Sequence, residues 1–124
     1  AVPTLTQIGG RLPLHATGVG KAILAFSGPE LLAEVAAAGL PRMTPNTITR
    51  PGVLAAALAE VRATGVAYSF EEMTLGAVSV AAPILRLDGS VRAALGIVAH
   101  SRAAVDRLAP AVRTAALGIA RSVG

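Results

Sequence analysis

The spacing of apolar positions changes several times along the chain, and each change predicts an element. Residues Val2 to Ile8 read as an extended opening that breaks at Gly9-Gly10. Val19, Ile23 and Phe26 then recur at helical spacing, on a helix that the glycine pair Gly18 and Gly20 opens. A short helix is predicted after Ser27, which can cap it. It has Glu30 in its first turn, Leu31, Leu32 and Val35 facing inward, and Gly39-Leu-Pro41 as its stop. Thr44-Pro-Asn-Thr-Ile-Thr49 is a loop, rich in side chains that bond their own backbone. A third helix runs from Pro51 to Gly65 with Leu54, Leu58 and Val61 on one stripe, and Arg50 before its proline is a poor cap.

Beyond that helix the period shifts to two. Val66 to Phe70 reads as a strand with Glu71 and Glu72 at its exit. Ala77 to Leu87 and Ser90 to Ala99 are β-rich runs joined by Asp88-Gly89, a dipeptide suited to a type I′ turn. A closing helix from about Ala104 would turn Val105, Leu108, Val112, Ile119 and Val123 inward. Pro110 fits that helix if Asp106 caps it, because first-turn N–H groups have no partner to lose.

A two-residue hairpin turn fixes which residues face one another. With Leu87 opposite Ser90, Ala81 opposes Gly96 and Ser79 opposes Val98, and directly opposed residues share a face. One face of the ribbon therefore carries Ser79, Ala81, Gly96 and Val98. The other carries the bulky set Val78, Val80, Ala82, Ile84, Val91, Leu95 and Ile97. A small-residue face either lets another backbone approach or leaves a hollow, and the pattern alone leaves both open.

The stretch Leu12-Pro-Leu-His-Ala-Thr-Gly-Val-Gly-Lys-Ala22 carries the candidate chemistry. The first N–H groups of a helix lack internal acceptors and carry the positive end of its dipole, so an anion can sit on them where glycines admit it. Known phosphate loops do not fit. A Walker A loop needs glycine at His15 and Ser or Thr at Ala22, and a dinucleotide fingerprint needs a third glycine at Ile23 and a preceding strand. Close packing remains the other reason for glycine here.

Composition narrows the classes. At 124 residues the chain is a single domain, 1–124. Cysteine is absent and histidine occurs twice, which excludes thiolate catalysis and disulfides and leaves little for a metal site. No cofactor is implied. The hydrophobic fraction of 53% owes much to alanine, and no apolar run reaches the roughly 18 residues of a membrane-crossing helix, so no membrane partner is expected. No signal peptide is evident either. The net charge of +4 comes from scattered arginines with few stacking aromatics, the pattern of a solvated basic surface rather than a nucleic-acid face.

Other single residues have plain readings. His15 is expected to bond nearby backbone, and Lys21, which opposes the helix dipole, to face solvent. Glu71 and Glu72 alternate on a strand end, do not form an acid–base pair and are expected to be solvated. His100 and Ser101 read as loop formers. A hydrolase built on a serine with either histidine is disfavoured by the lack of a Gly-x-Ser-x-Gly elbow, and no catalytic residue is assigned. A module whose small-residue face only packs against a sister subunit is a further alternative.

Residues 9–22, the Thr-Ile-Thr of 47–49, and Gly76-Ala-Val-Ser-Val-Ala-Ala-Pro83 followed by an Asp-Gly turn together resemble the effector-binding domain of the IclR family of transcriptional regulators. The likeness covers almost the whole chain. It implies an α+β, GAF-like fold, an antiparallel sheet flanked by helices, in a cytoplasmic homo-oligomer, dimer or tetramer. It also implies that the chain is a fragment, without the winged helix-turn-helix that carries DNA binding and without the first strands. The implied ligand is a small organic acid. Gly18 and Val19 would offer it backbone amides, Leu12 an apolar wall, and Ser69 and Ser79 polar positions. Gly96 and Val98 stand where some relatives hold serines, and this departure suggests a larger, flatter acid such as an aromatic carboxylate. The anion site and the small-residue face coincide in that implied pocket, which favours a hollow over tight packing.

Overall fold

The computed structural model describes residues 3–6, by their backbone, and residues 13–123. In chain order the elements are β1 (Pro3–Thr6), α1 (Gly18–Phe26), α2 (Pro29–Ala38), α3 (Pro51–Thr64), β2 (Ala67–Phe70), β3 (Val78–Leu85), β4 (Val91–Ala99) and α4 (Arg102–Val123). Among the described residues the strands form one antiparallel sheet in the order β1-β4-β3-β2. The predicted opening strand is there as β1, and Gly9-Gly10 lies outside the described residues.

Two cores flank the sheet. On one face Ile23, Leu54 and Leu58 from α1 and α3 pack with Ala67, Ala81 and Ala94, while Leu31, Leu32 and Val35 of α2 close the margin. The strands contribute mainly alanines here, so the helices lie close to the backbone. On the other face Val78, Val80, Ala82 and Ile84 meet Val105, Ala109, Val112 and Ala116 of α4.

The helix ends depart from expectation in two places. Ser27 terminates α1 instead of capping α2: its hydroxyl donates to the Ile23 carbonyl at 2.6 Å, and Gly28 precedes Pro29 at the start of α2. The closing helix begins earlier than Ala104. Its start is held by Ser101, whose Oγ accepts from the Ala104 N–H at 3.3 Å, so Asp106 is not a cap and Pro110 lies inside the helix. Pro110 is exposed, which lets the missing hydrogen bond be met by water. The buried stripe runs through Ala109 and Ala116; Leu108 is only half-buried, and Ile119 (37%) and Val123 (49%) are exposed. Val105 and Val112 face inward as expected, whereas Ile119 and Val123 do not, on a helix whose inner face is half alanine.

The hairpin pairs Ala81 with Gly96 and Ser79 with Val98 as predicted, although its turn is different. Gly89 alone of the tip residues has a positive φ, 85°, and its N–H donates to the Arg86 carbonyl at 2.9 Å. The turn is thus a type I turn over Arg86 to Gly89 with a left-handed glycine at its end, not a type I′ turn on Asp88-Gly89. Asp88 supports it by accepting from the backbone and hydroxyl of Ser90, and those bonds hold its carboxyl below the ordinary value. This turn offsets the pairing by one residue, with Leu85 opposite Val91. A bulge restores the offset, because Ile84 pairs with Ala93 and Arg92 is left over. The bulge also turns Val91 to the α1 face, where it joins that core, rather than to the α4 face expected from alternation.

Candidate effector site

The start of α1 is stitched to the sheet by two serines that stand opposite each other on β2 and β3. The Ser69 hydroxyl donates to the Ala16 carbonyl at 2.8 Å, and Ser79 Oγ accepts from the Gly18 N–H at 3.2 Å. Thr17 is the N-cap. Its Oγ1 accepts from the Gly20 N–H at 3.0 Å while its own proton goes to the Pro13 carbonyl. Among the described residues nothing accepts from the Val19 N–H.

Close approach accounts for the glycines. A Cβ on Gly18 would lie 2.9 Å from Ser79 Oγ, one on Gly20 2.6 Å from the Leu14 Cα, and one on Gly96 2.7 Å from a Val19 methyl. The small-residue face of the hairpin is therefore partly a seat for α1. Where α1 does not cover it, a cavity of about 210 Å³ remains. Gly18, Val19, Ser69, Ser79, Gly96 and Val98 all line this cavity. Leu12 lies outside the described residues. Thus six of the seven residues singled out in the sequence meet at one hollow, and Val98 at its mouth is 47% exposed.

The wall is almost wholly apolar and carries no charged side chain. Its polar capacity is small: Thr17 and Ser69 spend their protons on backbone carbonyls, which leaves the Ser79 proton, the Val19 N–H and the Thr74 hydroxyl at the rim. Met73, Thr74 and Ala77 on the β2–β3 loop also line it. Sequence reasoning missed all three, since nothing local says which way that loop folds.

The loop is held at its base from several sides. The Thr44 and Thr47 hydroxyls donate to the carbonyls of Glu71 and Glu72 at 2.5 and 2.6 Å, so the 44–49 loop bonds its own backbone and this neighbour together. Glu71 accepts from the Gly76 N–H through its side chain and adopts a left-handed φ of 56°. His100 Nδ1 donates to the Gly76 carbonyl at 3.0 Å, and His15 Nε2 donates to the Pro41 carbonyl at 2.9 Å, both structural roles as anticipated.

Two charged residues are not solvated as expected. Lys21 is 4% exposed, and its Nζ sits 2.5 Å from Glu72 Oε1 and donates to the Tyr68 carbonyl at 2.9 Å. Glu72 is buried too, and its other oxygen accepts from the Phe70 N–H at 3.0 Å. Each is buried because the other neutralises it and because both satisfy backbone groups. Their separation of fifty-one positions, 21 to 72, left no local sign of the pairing.

Residues 1–122 match the family described as bacterial transcriptional regulator IclR, C-terminal. The chain belongs to that family, and the matched part is its C-terminal domain. It is 34% identical over 116 residues to the p-hydroxybenzoate hydroxylase transcriptional activator of Acinetobacter baylyi, covering 89% of this chain and 43% of that protein. It is 38% identical over 122 residues to the HTH-type transcriptional repressor AllR of Klebsiella pneumoniae, covering 94% of this chain and 45% of that protein. The chain thus spans less than half the length of these relatives. Among solved structures, the Thermotoga maritima IclR superposes with a TM-score of 0.85 at 31% identity, covering all of this chain and 52% of that one. The inducer-binding domain of a PobR double mutant from Acinetobacter, in complex with 3-hydroxybenzoic acid, superposes with a TM-score of 0.79 at 33% identity, covering 90% and 67%. The α+β architecture is that of these domains. No helix among the described residues is long and apolar enough to cross a membrane.

Proposed function

We propose that the cavity beside α1 binds an aromatic monocarboxylate and that its occupancy tunes promoter binding by a larger bacterial regulator in the cytoplasm. The observation that carries this is the combination of an apolar hollow with two unspent donors on residues of its wall, the Val19 N–H and the Ser79 proton. A carboxylate placed there accepts from both and meets the positive end of the α1 dipole. Gly18 contributes by close approach, and its own N–H stays with Ser79 or moves to the ligand when the serine turns. Ser69 fixes the helix start, and Gly96 and Val98 leave room for a flat ring. A polyhydroxylated acid fits poorly, because its hydroxyls would lose water without finding partners. At about 210 Å³ the hollow is smaller than the roughly 300–1,000 Å³ typical of drug-sized ligands, which favours a single ring.

Two comparisons support this reading: one relative is named for p-hydroxybenzoate hydroxylase control, and one solved domain holds 3-hydroxybenzoic acid. Regulation then requires that the acid bind two arrangements of the assembled regulator with different affinity. In the homo-oligomer, DNA is met by a part of the protein outside this chain.

The test is a thermal-shift series on the purified domain with benzoate, 3-hydroxybenzoate, acetate, gluconate and benzamide. The aromatic acids raise Tm, and at 100 times Kd the gain in stability is about 2.7 kcal/mol. A response to benzamide equal to that of benzoate, or to gluconate above both, rejects the aromatic-acid site. No response to any of them leaves a ligand-free packing module as the better account.

A further inference from the structure

Among the described residues β2 is the last strand of the sheet, so half of its backbone groups point away from β3 with no described strand to receive them. Which half follows from the ladder. The Glu71 N–H donates to the Ala77 carbonyl at 3.0 Å, one step beyond the pair Phe70–Val78, so the hydrogen-bonded pairs are those of Ser69 with Ser79 and Ala67 with Ala81. Tyr68 and Phe70 therefore aim their N–H and carbonyl groups outward.

Lys21 and Glu72 occupy this edge. Lys21 Nζ donates to the Tyr68 carbonyl and Glu72 Oε2 accepts from the Phe70 N–H, at 2.9 and 3.0 Å, while the ion pair closes the gap between them. In a parallel ladder one residue of an incoming strand makes the same two bonds, to the carbonyl before its partner and the N–H after it. We infer that the Lys21–Glu72 pair is a side-chain plug that imitates one residue of a neighbouring strand and masks β2 against strand addition, the incoming strand being an extended segment of a second copy of this chain. An apolar pair of similar size would fill the volume but leave both backbone groups unpaired, and the edge would then accept a strand. This inference stands independently of what the cavity binds.

Amide exchange on the Lys21→Met/Glu72→Leu double variant tests it, alongside mass measured by sedimentation over a range of concentrations. The Phe70 amide is expected to lose roughly tenfold or more of its protection while Ser69, in the β2–β3 ladder, keeps its own. Self-association is expected to rise above that of the unchanged chain. Glu72→Gln is the second variant: it removes the charge but keeps an acceptor, so Phe70 should stay protected within about a factor of three. This variant also serves if the double variant does not fold. Equal loss of protection at Phe70 and Ser69, an undisturbed Phe70 amide in the double variant, or mass that does not change with concentration overturns the inference. So does loss of Phe70 protection in Glu72→Gln equal to that expected without any acceptor.

Discussion

Ser79 has one hydroxyl and, in the proposed function, two tasks: its oxygen accepts the Gly18 N–H, and its proton is left for the carboxylate. Ser79→Ala removes both. Carboxylate affinity should fall by about tenfold, read by calorimetric titration, while stability drops by only about 1 kcal/mol because the freed N–H borders the cavity and can be hydrated. Gly96 acts through shape. A Cβ there would strike the Val19 methyl at 2.7 Å, and that valine lines the cavity. Gly96→Ser should therefore weaken benzoate binding more than acetate binding, at a cost of about 1–3 kcal/mol in stability from overpacking. The small size of these residues was legible in the sequence through the hairpin register alone. Their contact with α1 was not, because it joins segments 61 (Gly18–Ser79) and 77 (Val19–Gly96) positions apart and no spacing rule reaches so far.

Among the elements, α4 and the hairpin tip are the most instructive. Pro110 sits on the exposed side of α4, where it contributes no N–H to the helix and no packing. Pro110→Ala should raise Tm, with a gain of up to about 3 kcal/mol measured by chemical denaturation. At the tip, Gly89 holds a φ of 85°, and Gly89→Ala should cost about 1 kcal/mol without altering the cavity. The hairpin also shows how a correct register can follow from an incorrect turn. The type I turn with its left-handed glycine shifts the pairing one way and the Arg92 bulge shifts it back, so counting from a two-residue turn reaches the right partners at Ala81–Gly96. Only Val91, between the two shifts, changes face. Helices were legible wherever large apolar residues marked the stripe, as at Leu54, Leu58 and Val61. They were misjudged where alanine did the packing, as at Ala109 and Ala116, since alanine looks the same on either side of a helix.

At the scale of the whole molecule, the sheet divides two cores of different character, and the aromatic pair lies on the α4 side. On the α4 side Tyr68 and Phe70 stack at 5.3 Å, and the Arg102 guanidinium lies 4.0 Å above the Phe70 ring. Burial, and secondarily the negative charge of Asp106, hold the Tyr68 hydroxyl above its ordinary value of 10.0. The folded chain therefore keeps this proton to a higher pH than the unfolded chain does. The associated stability is complete below about pH 10 and is lost as pH rises through the folded value. Unfolding free energy measured between pH 8 and 11 should decline at the alkaline end, and Tyr68→Phe should flatten the decline. On the α1 side lies the cavity, whose wall carries no charged side chain. The division into sheet and flanking helices could be read from periodicity. The buried ion pair could not, because a lysine and a glutamate far apart in sequence look like ordinary surface residues until the fold brings them together.

The compensating offsets at the hairpin have a practical outcome for anyone engineering this domain. Leu87 at the tip is 93% exposed, and the Arg92 bulge lies between it and the residues that shape the cavity. Slack in that strand can absorb an added or removed residue before it travels inward. A short reporter peptide spliced between Leu87 and Asp88 would ride on the tip while the binding chamber keeps its alignment, which makes this the natural place to graft a probe.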